Sequence, residues 1–239
     1  MRPIGFSTGA LAYADFRRGL TMTQAIETCT AIELSALRQP ELQPLLESLD
    51  ALNLSRFSYV SIHAPSQFAP DWETKSASLL QAQLHRRWPI VVHPDVLTRM
   101  DLWREFGSLL CVENMDKRKP IGSTAEELAR IFDQLPDASL CFDIGHARQV
   151  DPTMTEAYLI LRDLGSRLRQ VHVSEVNTSS KHDVLSYTTI LAFQQVAHLI
   201  PEHIPLILET PVTAESMESD IVRAREALPI HTFGLTCAY

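Results

Sequence analysis

The fold is indicated most clearly by one stretch of the chain, Leu140-Cys141-Phe142-Asp143-Ile144-Gly145-His146. An apolar run of strand length ends there in a carboxylate, and an imidazole follows three residues later. Short apolar runs bounded by polar residues are typical of buried parallel strands. Runs of this kind recur along the chain and predict eight strands, at 3–7, 31–34, 59–63, 90–93, 109–113, 140–143, 170–174 and 206–209.

Amphipathic segments separate these runs, so that strands and helices alternate. Helices are predicted at 40–52, 75–86, 97–106, 124–135, 155–168, 187–199 and 214–228. The alternation predicts parallel strands joined by helical crossovers, and eight such units close into an α/β barrel. An open doubly wound sheet is the alternative, but residues 7–10 contain a single glycine and no Gly-rich phosphate turn. We therefore predict a (β/α)8 TIM barrel that occupies residues 1–239 as a single domain.

The length and the charge of the chain agree with such a barrel. It has 239 residues, of which 45% are hydrophobic, and barrels of roughly 200–250 residues form single domains. The net charge of −8 provides no broad electrostatic footprint for nucleic acid, which is therefore not expected as a partner. The short basic run at 117–119 is interpreted as a solvated loop or helix end.

The cysteines and the hydropathy pattern predict a cytoplasmic protein. No Cys-x-x-Cys pair occurs, which argues against a zinc ribbon or a thioredoxin-like motif; the four cysteines are Cys29, Cys111, Cys141 and Cys237. Three of them lie in or beside apolar runs, as buried reduced thiols do. No run approaches the ~20 apolar residues that span a membrane, so a membrane is not expected as a partner.

A carboxylate or an imidazole lies at or near the end of nearly every predicted strand. These residues are Glu33, His63, His93, Glu113, Asp143, His172 and Glu209. The intervals between them are 30, 30, 20, 30, 29 and 37 residues, each close to one strand–helix unit. Because the carboxyl ends of barrel strands meet at one face, the seven side chains are predicted to converge there.

Carboxylates that converge in this way repel one another unless a divalent cation lies between them. Mixed Asp, Glu and His ligands suit Mn, Zn, Fe or Co better than Ca, and Mg stays open. Cys111 and Cys141 lie two residues before Glu113 and Asp143, on the same inward face of their strands. The two thiols are therefore predicted to fill the barrel beneath a metal site.

The strand-end motifs resemble those of the xylose isomerase-like TIM-barrel superfamily, which includes sugar isomerases and epimerases and the endonuclease IV enzymes. The resemblance runs from Ile4 to about Glu209, nearly the whole chain. The matching pieces are His63-Ala64-Pro65, Val92-His93-Pro94, Val112-Glu113-Asn114, Asp143-Ile144-Gly145-His146, Val171-His172-Val173 and Leu208-Glu209-Thr210.

The resemblance implies a divalent metal ion whose ligands are Glu113, Asp143, His172 and Glu209. In the isomerase and epimerase branch, Glu113 and Glu209 are also catalytic and move protons at carbons beside a carbonyl. His146, and with it His63 and His93, would bind substrate, and Glu33 would bind a substrate hydroxyl. The first hypothesis is a metal-dependent isomerase or epimerase that acts on a small sugar or polyhydroxy carbonyl compound.

The endonuclease branch implies a second hypothesis, a dinuclear or trinuclear metallohydrolase that acts on phosphodiesters. In that branch His63 and His93 bind a second metal, and Glu113 is the bridge. A third metal there uses an Asp-x-His motif, but in this chain Ser180 stands at the Asp position, before His182.

The segment after the seventh strand has two interpretations. Lys181 and His182 could bind an anionic group of the substrate, such as a phosphate or a carboxylate, or the segment could be a solvated loop. A third hypothesis for the whole protein is a metal-binding barrel without catalysis, against which the retention of all four expected ligands argues. The expected partner is a small-molecule substrate, and a homo-oligomer is left open because superfamily members are often dimers or tetramers.

Overall fold

The computed structural model describes residues 1–67, 69 and 72–230 and contains the predicted TIM barrel. Eight parallel strands close round one axis, and the last pairs with the first. Seven of them are β1 (Ile4–Ser7), β2 (Ala31–Ser35), β3 (Tyr59–His63), β4 (Ile90–Val92), β5 (Leu110–Glu113), β6 (Ser139–Asp143) and β7 (Leu168–Val173). A small antiparallel hairpin follows, formed by β8 (Glu175–Val176) and β9 (His182–Asp183), before the eighth barrel strand β10 (Leu206–Leu208).

Helices connect the strands. They are α1 (Thr8–Ala12), α2 (Phe16–Ala25), α3 (Gln39–Ser48), α4 (Trp72–Gln81), α5 (Met100–Arg104), α6 (Ala125–Gln134), α7 (Ile144–Val150), α8 (Thr155–Leu164), α9 (Tyr187–Gln194) and α10 (Met217–Ala227). In α6 the Thr124 hydroxyl accepts a hydrogen bond from the backbone N–H of Glu127, and Leu128, Ile131 and Phe132 form its buried stripe. None of the helices in the described ranges has the length and apolarity needed to cross a lipid bilayer.

Several predicted boundaries were wrong. The helices predicted at 155–168 and 187–199 end earlier, at Leu164 and Gln194, and short 3-10 turns follow both of them. Helices α1, α2 and α7 were not predicted. Helices α1 and α7 each begin directly after a strand, with Ser7 or Asp143 as the N-cap and no turn residues between. Residues 231–239 of the predicted domain, including Cys237, lie outside the described residues.

The interior of the barrel contains a small apolar cluster. Val91, Cys111 and Cys141 are fully buried and pack against one another, apart from the larger core between strands and helices. The prediction that the two thiols fill the barrel is therefore confirmed.

A buried polar network lies beside this cluster, where most barrels carry layers of branched apolar side chains. Tyr59 Oη donates to Gln170 Oε1 at 2.7 Å, and Gln170 Nε2 donates to Glu33 Oε2 at 2.7 Å. Ser61 Oγ donates to the same carboxylate oxygen at 3.0 Å. Three barrel strands, β2, β3 and β7, are thus joined through their inward side chains.

Gly5 provides a test of the strand packing. A Cβ atom at this position would lie 1.7 Å from the carbonyl oxygen of Ala31, its register partner on β2. We expect Gly5→Ala to lower the free energy of unfolding by about 3 kcal/mol or more, because the backbone of β2 would have to move. Urea unfolding followed by circular dichroism measures this change.

The matched control is Gly165→Ala. Gly165 has helical backbone angles and no atom within 4 Å of the added methyl group. Its substitution should leave stability unchanged or raise it by about 0.4–1 kcal/mol. If Gly5→Ala were as stable as the control, the close approach of β1 and β2 would be contradicted.

Candidate metal centre

A cavity of about 570 Å³ opens at the carboxyl ends of the barrel strands. Six of the predicted site residues lie in its wall, namely His63, His93, Glu113, His146, His182 and Glu209. Asp143 and His172 are fully buried and are neighbours in the register of β6 and β7. The convergence that the strand spacing predicts is therefore present in the structure.

Glu113 lies at the centre of the cluster and faces four imidazoles. Its Oε2 atom is 3.1 Å from His63 Nε2 and 3.3 Å from His93 Nε2. Its Oε1 atom is 3.4 Å from the Nδ1 atoms of both His146 and His172. Burial raises the pKa of Glu113, but the surrounding histidines outweigh that effect and hold the pKa well below its usual range. The carboxylate is therefore charged at neutral pH.

Two groups of potential metal ligands have Glu113 as their one common member. Within each group, one nitrogen or oxygen atom per residue lies within 4.8 Å of the others. The first group consists of His63, His93 and Glu113, and the second of Glu113, Asp143, His172 and Glu209. Two further combinations, which include Glu33 or Cys141, draw on the same histidines.

The chemistry of these side chains fits divalent metal ions. Asp143 Oδ2 is buried and has no hydrogen-bond partner among the described residues. Burial, with the charges of Glu113 and Glu209, raises the pKa of Asp143 although His146 opposes it. Imidazole nitrogens mixed with carboxylate oxygens suit Zn, Mn, Fe or Co.

Backbone carbonyl groups hold two of the imidazoles in place. His63 Nδ1 lies 2.8 Å from the carbonyl of Ala64, which leaves Nε2 directed at Glu113. His146 Nδ1 lies 3.0 Å from the carbonyl of Asn114. An N–H that donates to a fixed acceptor determines which nitrogen of the ring remains available to a metal or a substrate.

Asn114, which directly follows β5, fixes the spacing of two neighbouring strand ends. Its Nδ2 donates to the carbonyl of Asp143 at 2.8 Å, and its Oδ1 accepts from the Asp143 N–H at 2.7 Å. Asp143 Oδ1 in turn accepts from the backbone N–H of His146 at 2.7 Å and caps α7. The strand that carries Glu113 is thus tied to Asp143 and His146.

Two of the predicted substrate-binding residues, Glu33 and Lys181, are not among the residues that line the cavity. Glu33 is fully buried, because its register partner is Ser61, two residues below His63 on β3. Lys181 is exposed and does not line the cavity, whereas the next residue, His182, lies in the wall. Successive side chains of an extended segment point to opposite sides, which accounts for this difference.

Sequence reasoning missed the charged residues on the cavity rim. Lys119 Nζ donates to Asp95 Oδ2 at 2.7 Å and lies 3.5 Å from the carbonyl of Ser66. Arg118 binds Asp116 through two nitrogen atoms, and all four charged side chains line the cavity. The interpretation of 117–119 as a solvated run was wrong for Lys119. The position of Asp95, two residues after His93, was the available signal.

His146 and His182 have no carboxylate at the position that an Asp-x-His motif would supply. Their ring centroids lie 5.6 Å apart. Ser180 is buried, and its hydroxyl contacts the side-chain amide of Gln149 instead of the two rings. Among the described residues, neither ring belongs to a group of potential metal ligands.

Comparison with known proteins agrees with the barrel and its motifs. Residues 95–224, more than half of the chain, match the xylose isomerase-like TIM barrel family. Endonuclease IV from Thermus thermophilus has a TM-score of 0.59 at 20% identity, over 95% of this chain and 98% of that one. Among curated proteins none matches the sequence.

Two further solved structures share the fold. A xylose isomerase domain protein from Planctomyces limnophilus has a TM-score of 0.59 at 12% identity, over 95% of each chain. A xylose isomerase-like TIM barrel protein from Mycobacterium smegmatis, in complex with magnesium, has a TM-score of 0.55 at 12% identity, over 95% of this chain and 98% of that one. At these identities the likeness concerns the fold.

The cluster predicts how the stability of the metal-free protein depends on pH. Burial lowers the pKa of His63, but Glu113, Glu33 and Glu209 together raise it to about 9. The unfolded value is about 6.5, so folding favours the protonated ring. Its contribution to stability is present below about pH 6.5 and is lost as the pH rises through about 9.

We therefore expect the free energy of unfolding in chelator to decline between these pH values, as urea titrations at several pH values would measure. His63→Gln, which cannot be protonated, should decline less steeply over the same interval. Equal slopes for the two proteins would show that His63 is not held in its charged form.

Proposed function

Because the chain belongs to the xylose isomerase-like TIM barrel family, we propose that it is a metal-dependent hydrolase of small phosphate esters with two divalent ions that share Glu113. The position of Glu113 carries the proposal. One carboxylate oxygen faces the nitrogens of His63 and His93, and the other faces His172. A carboxylate that serves two ligand groups in this way is suited to bridge a pair of metal ions.

The two ligand groups would divide the ions between them. His63 and His93 would hold one ion, and Asp143, His172 and Glu209 the other, with Glu113 common to both. Two divalent ions lower the pKa of water and stabilise the negative charge that develops on phosphoryl oxygens.

The protein's own groups would orient the substrate. Of the five site histidines His182 is the most exposed, at 34% of its side chain, and its Nδ1 is fixed 2.7 Å from Ser174 Oγ. Its other nitrogen would contact an oxygen of the substrate. Glu113 would act as a ligand, because both of its carboxylate oxygens face imidazole nitrogens of the cluster.

The cavity limits the substrate class. About 570 Å³ is the size of a small-molecule site, and Arg118 and Lys119, each paired with an aspartate, lie in its wall. The net charge of −8 opposes contact with a long nucleic acid over a broad surface. These features favour a small phosphomonoester or phosphodiester.

An isomerase or epimerase is the second candidate. Glu113, Asp143, His172 and Glu209 together provide enough ligands for a single ion. This ion would need neither His63 nor His93. Glu209 also keeps 12% of its side chain exposed, so that it could move a proton at a bound substrate. In this second candidate Glu113 would have to leave its four imidazole partners during turnover.

Metal content separates the two candidates. Protein reconstituted with Mn, Co or Zn and freed of excess ion should contain two equivalents per chain by elemental analysis. It should hydrolyse p-nitrophenyl phosphate or bis-p-nitrophenyl phosphate, and should exchange no carbon-bound proton of ketoses in D2O by NMR. One equivalent together with solvent exchange would overturn the hydrolase in favour of the isomerase. Two equivalents without turnover of either substrate class would indicate a metal-binding barrel.

Variants of single ligands provide a sharper test. We expect Glu113→Gln to lose both ions, and His93→Ala to lose one ion and about 100-fold or more in hydrolysis. His85→Ala is the matched control, because His85 is exposed and lies outside the cavity. Full metal content in Glu113→Gln would exclude a shared ligand at this position.

A further inference from the structure

We propose that Glu33 and Asp95 are positioning residues, each of which orients one histidine of the proposed two-ion centre. Glu33 acts on His172, and Asp95 acts on His93. The inference rests on the proposed function, since it requires both ions. Neither carboxylate belongs to the two ligand groups proposed to hold the ions, although Glu33 also forms a group of potential ligand atoms with His63, His172 and Glu209.

Glu33 and the second ligand group lie on opposite edges of the His172 ring. Glu33 Oε2 is 3.1 Å from His172 Nε2. The other ring nitrogen, Nδ1, is 3.4 Å from Glu113 Oε1 and 3.5 Å from Glu209 Oε2. A hydrogen on Nε2 that donates to Glu33 leaves the lone pair of Nδ1 directed at the ligand group.

The charge of Glu33 decides which nitrogen carries the hydrogen. The Gln170 amide nitrogen also lies 2.8 Å from His172 Nε2, where it could donate to a bare lone pair. An anionic acceptor at Glu33 attracts the ring N–H more strongly than a neutral one does. A neutral amide at position 33 would let Gln170 donate to Nε2, and the ring hydrogen would move to Nδ1 and block the ligand position.

Glu33 is held firmly at a cost to stability. Ser61 and Gln170 donate to Oε2, and Tyr59 fixes Gln170 in turn. The other oxygen, Oε1, is buried and has no hydrogen-bond partner among the described residues. A buried, incompletely satisfied carboxylate costs free energy that a small apolar residue would not. Its presence inside the barrel therefore favours a role at the metal centre.

Asp95 stands in a similar relation to His93. Asp95 Oδ1 and His93 Nδ1 are 4.0 Å apart, both are buried, and neither has a hydrogen-bond partner in the described part of the chain. Lys119 holds the other carboxylate oxygen at 2.7 Å, while His93 Nε2 faces Glu113 at 3.3 Å. A small side-chain rotation or one bridging water would join the two unpaired atoms.

The two carboxylates should therefore affect different ions. With Co²⁺ bound, chelator competition should resolve two dissociation constants in the unaltered protein. We expect Glu33→Gln to weaken the binding of one ion by about 10- to 100-fold, and His172→Ala should weaken the binding of the same ion. Asp95→Asn should weaken, by a similar factor, the binding of the other ion, which His93→Ala should also weaken. The visible absorption of Co²⁺ should change at the affected ion alone.

Glu73→Gln is the matched control. Glu73 is also a buried carboxylate that accepts several hydrogen bonds, from Thr98, Arg99 and Trp103, but it lies on α4 outside the cavity. This variant can lose stability, yet it should keep both dissociation constants and the Co²⁺ spectrum. Should Glu33→Gln fail to fold, Ser61→Ala removes one support of Glu33 and should weaken the same ion by a smaller factor.

The outcomes separate this inference from the proposed function. Fewer than two ions in the unaltered protein would overturn the two-ion centre itself. Two ions with unchanged affinities and spectra in Glu33→Gln and Asp95→Asn would overturn the positioning roles and leave the centre intact. A single substitution that weakened the binding of both ions equally would also overturn the positioning roles, since it would indicate a general structural effect.

Discussion

The buried negative charge of Glu113 is the constraint on which the mouth of the barrel depends. A carboxylate removed from water is costly unless positive groups or hydrogen-bond donors surround it. Barrel closure supplies these partners, because β3, β4 and β7 bring His63, His93 and His172 to the same point from distant parts of the chain. The same geometry that relieves the charge creates two ligand groups with one member in common.

The site is built in three layers along the barrel axis. The network around Glu33 and Gln170 lies deepest and is closed to solvent. The ligand groups lie above it, and the ion pair between Lys119 and Asp95 lies at the rim. His172 connects the ligand layer to the Glu33 network below it, and His93 connects it to Asp95 at the rim. Orientation from both sides restricts the imidazoles more than contact with Glu113 alone would.

Much of the barrel and of the ligand set could be predicted because both follow from local patterns. Apolar runs mark the strands, and a polar residue such as Glu113 or Asp143 at the end of a run must lie at the carboxyl face. Depth along the axis cannot be predicted in this way, because it depends on the register of neighbouring strands. Glu33 therefore looked like a residue of the mouth, although its partner is Ser61 and not His63. Lys119 was misjudged because its partner Asp95 belongs to another loop.

The contacts of Lys119 also affect how substitutions in the rim loops of this barrel can change its specificity. Its amine joins the loops after β3, β4 and β5, through the Ser66 carbonyl, the Asp95 carboxylate and its own backbone. Residues that share a partner do not contribute independently to stability or binding. A substitution in any of these loops will therefore have an effect that depends on the residues present in the other two. New specificities at this rim would arise through epistatic sets of changes rather than through single steps.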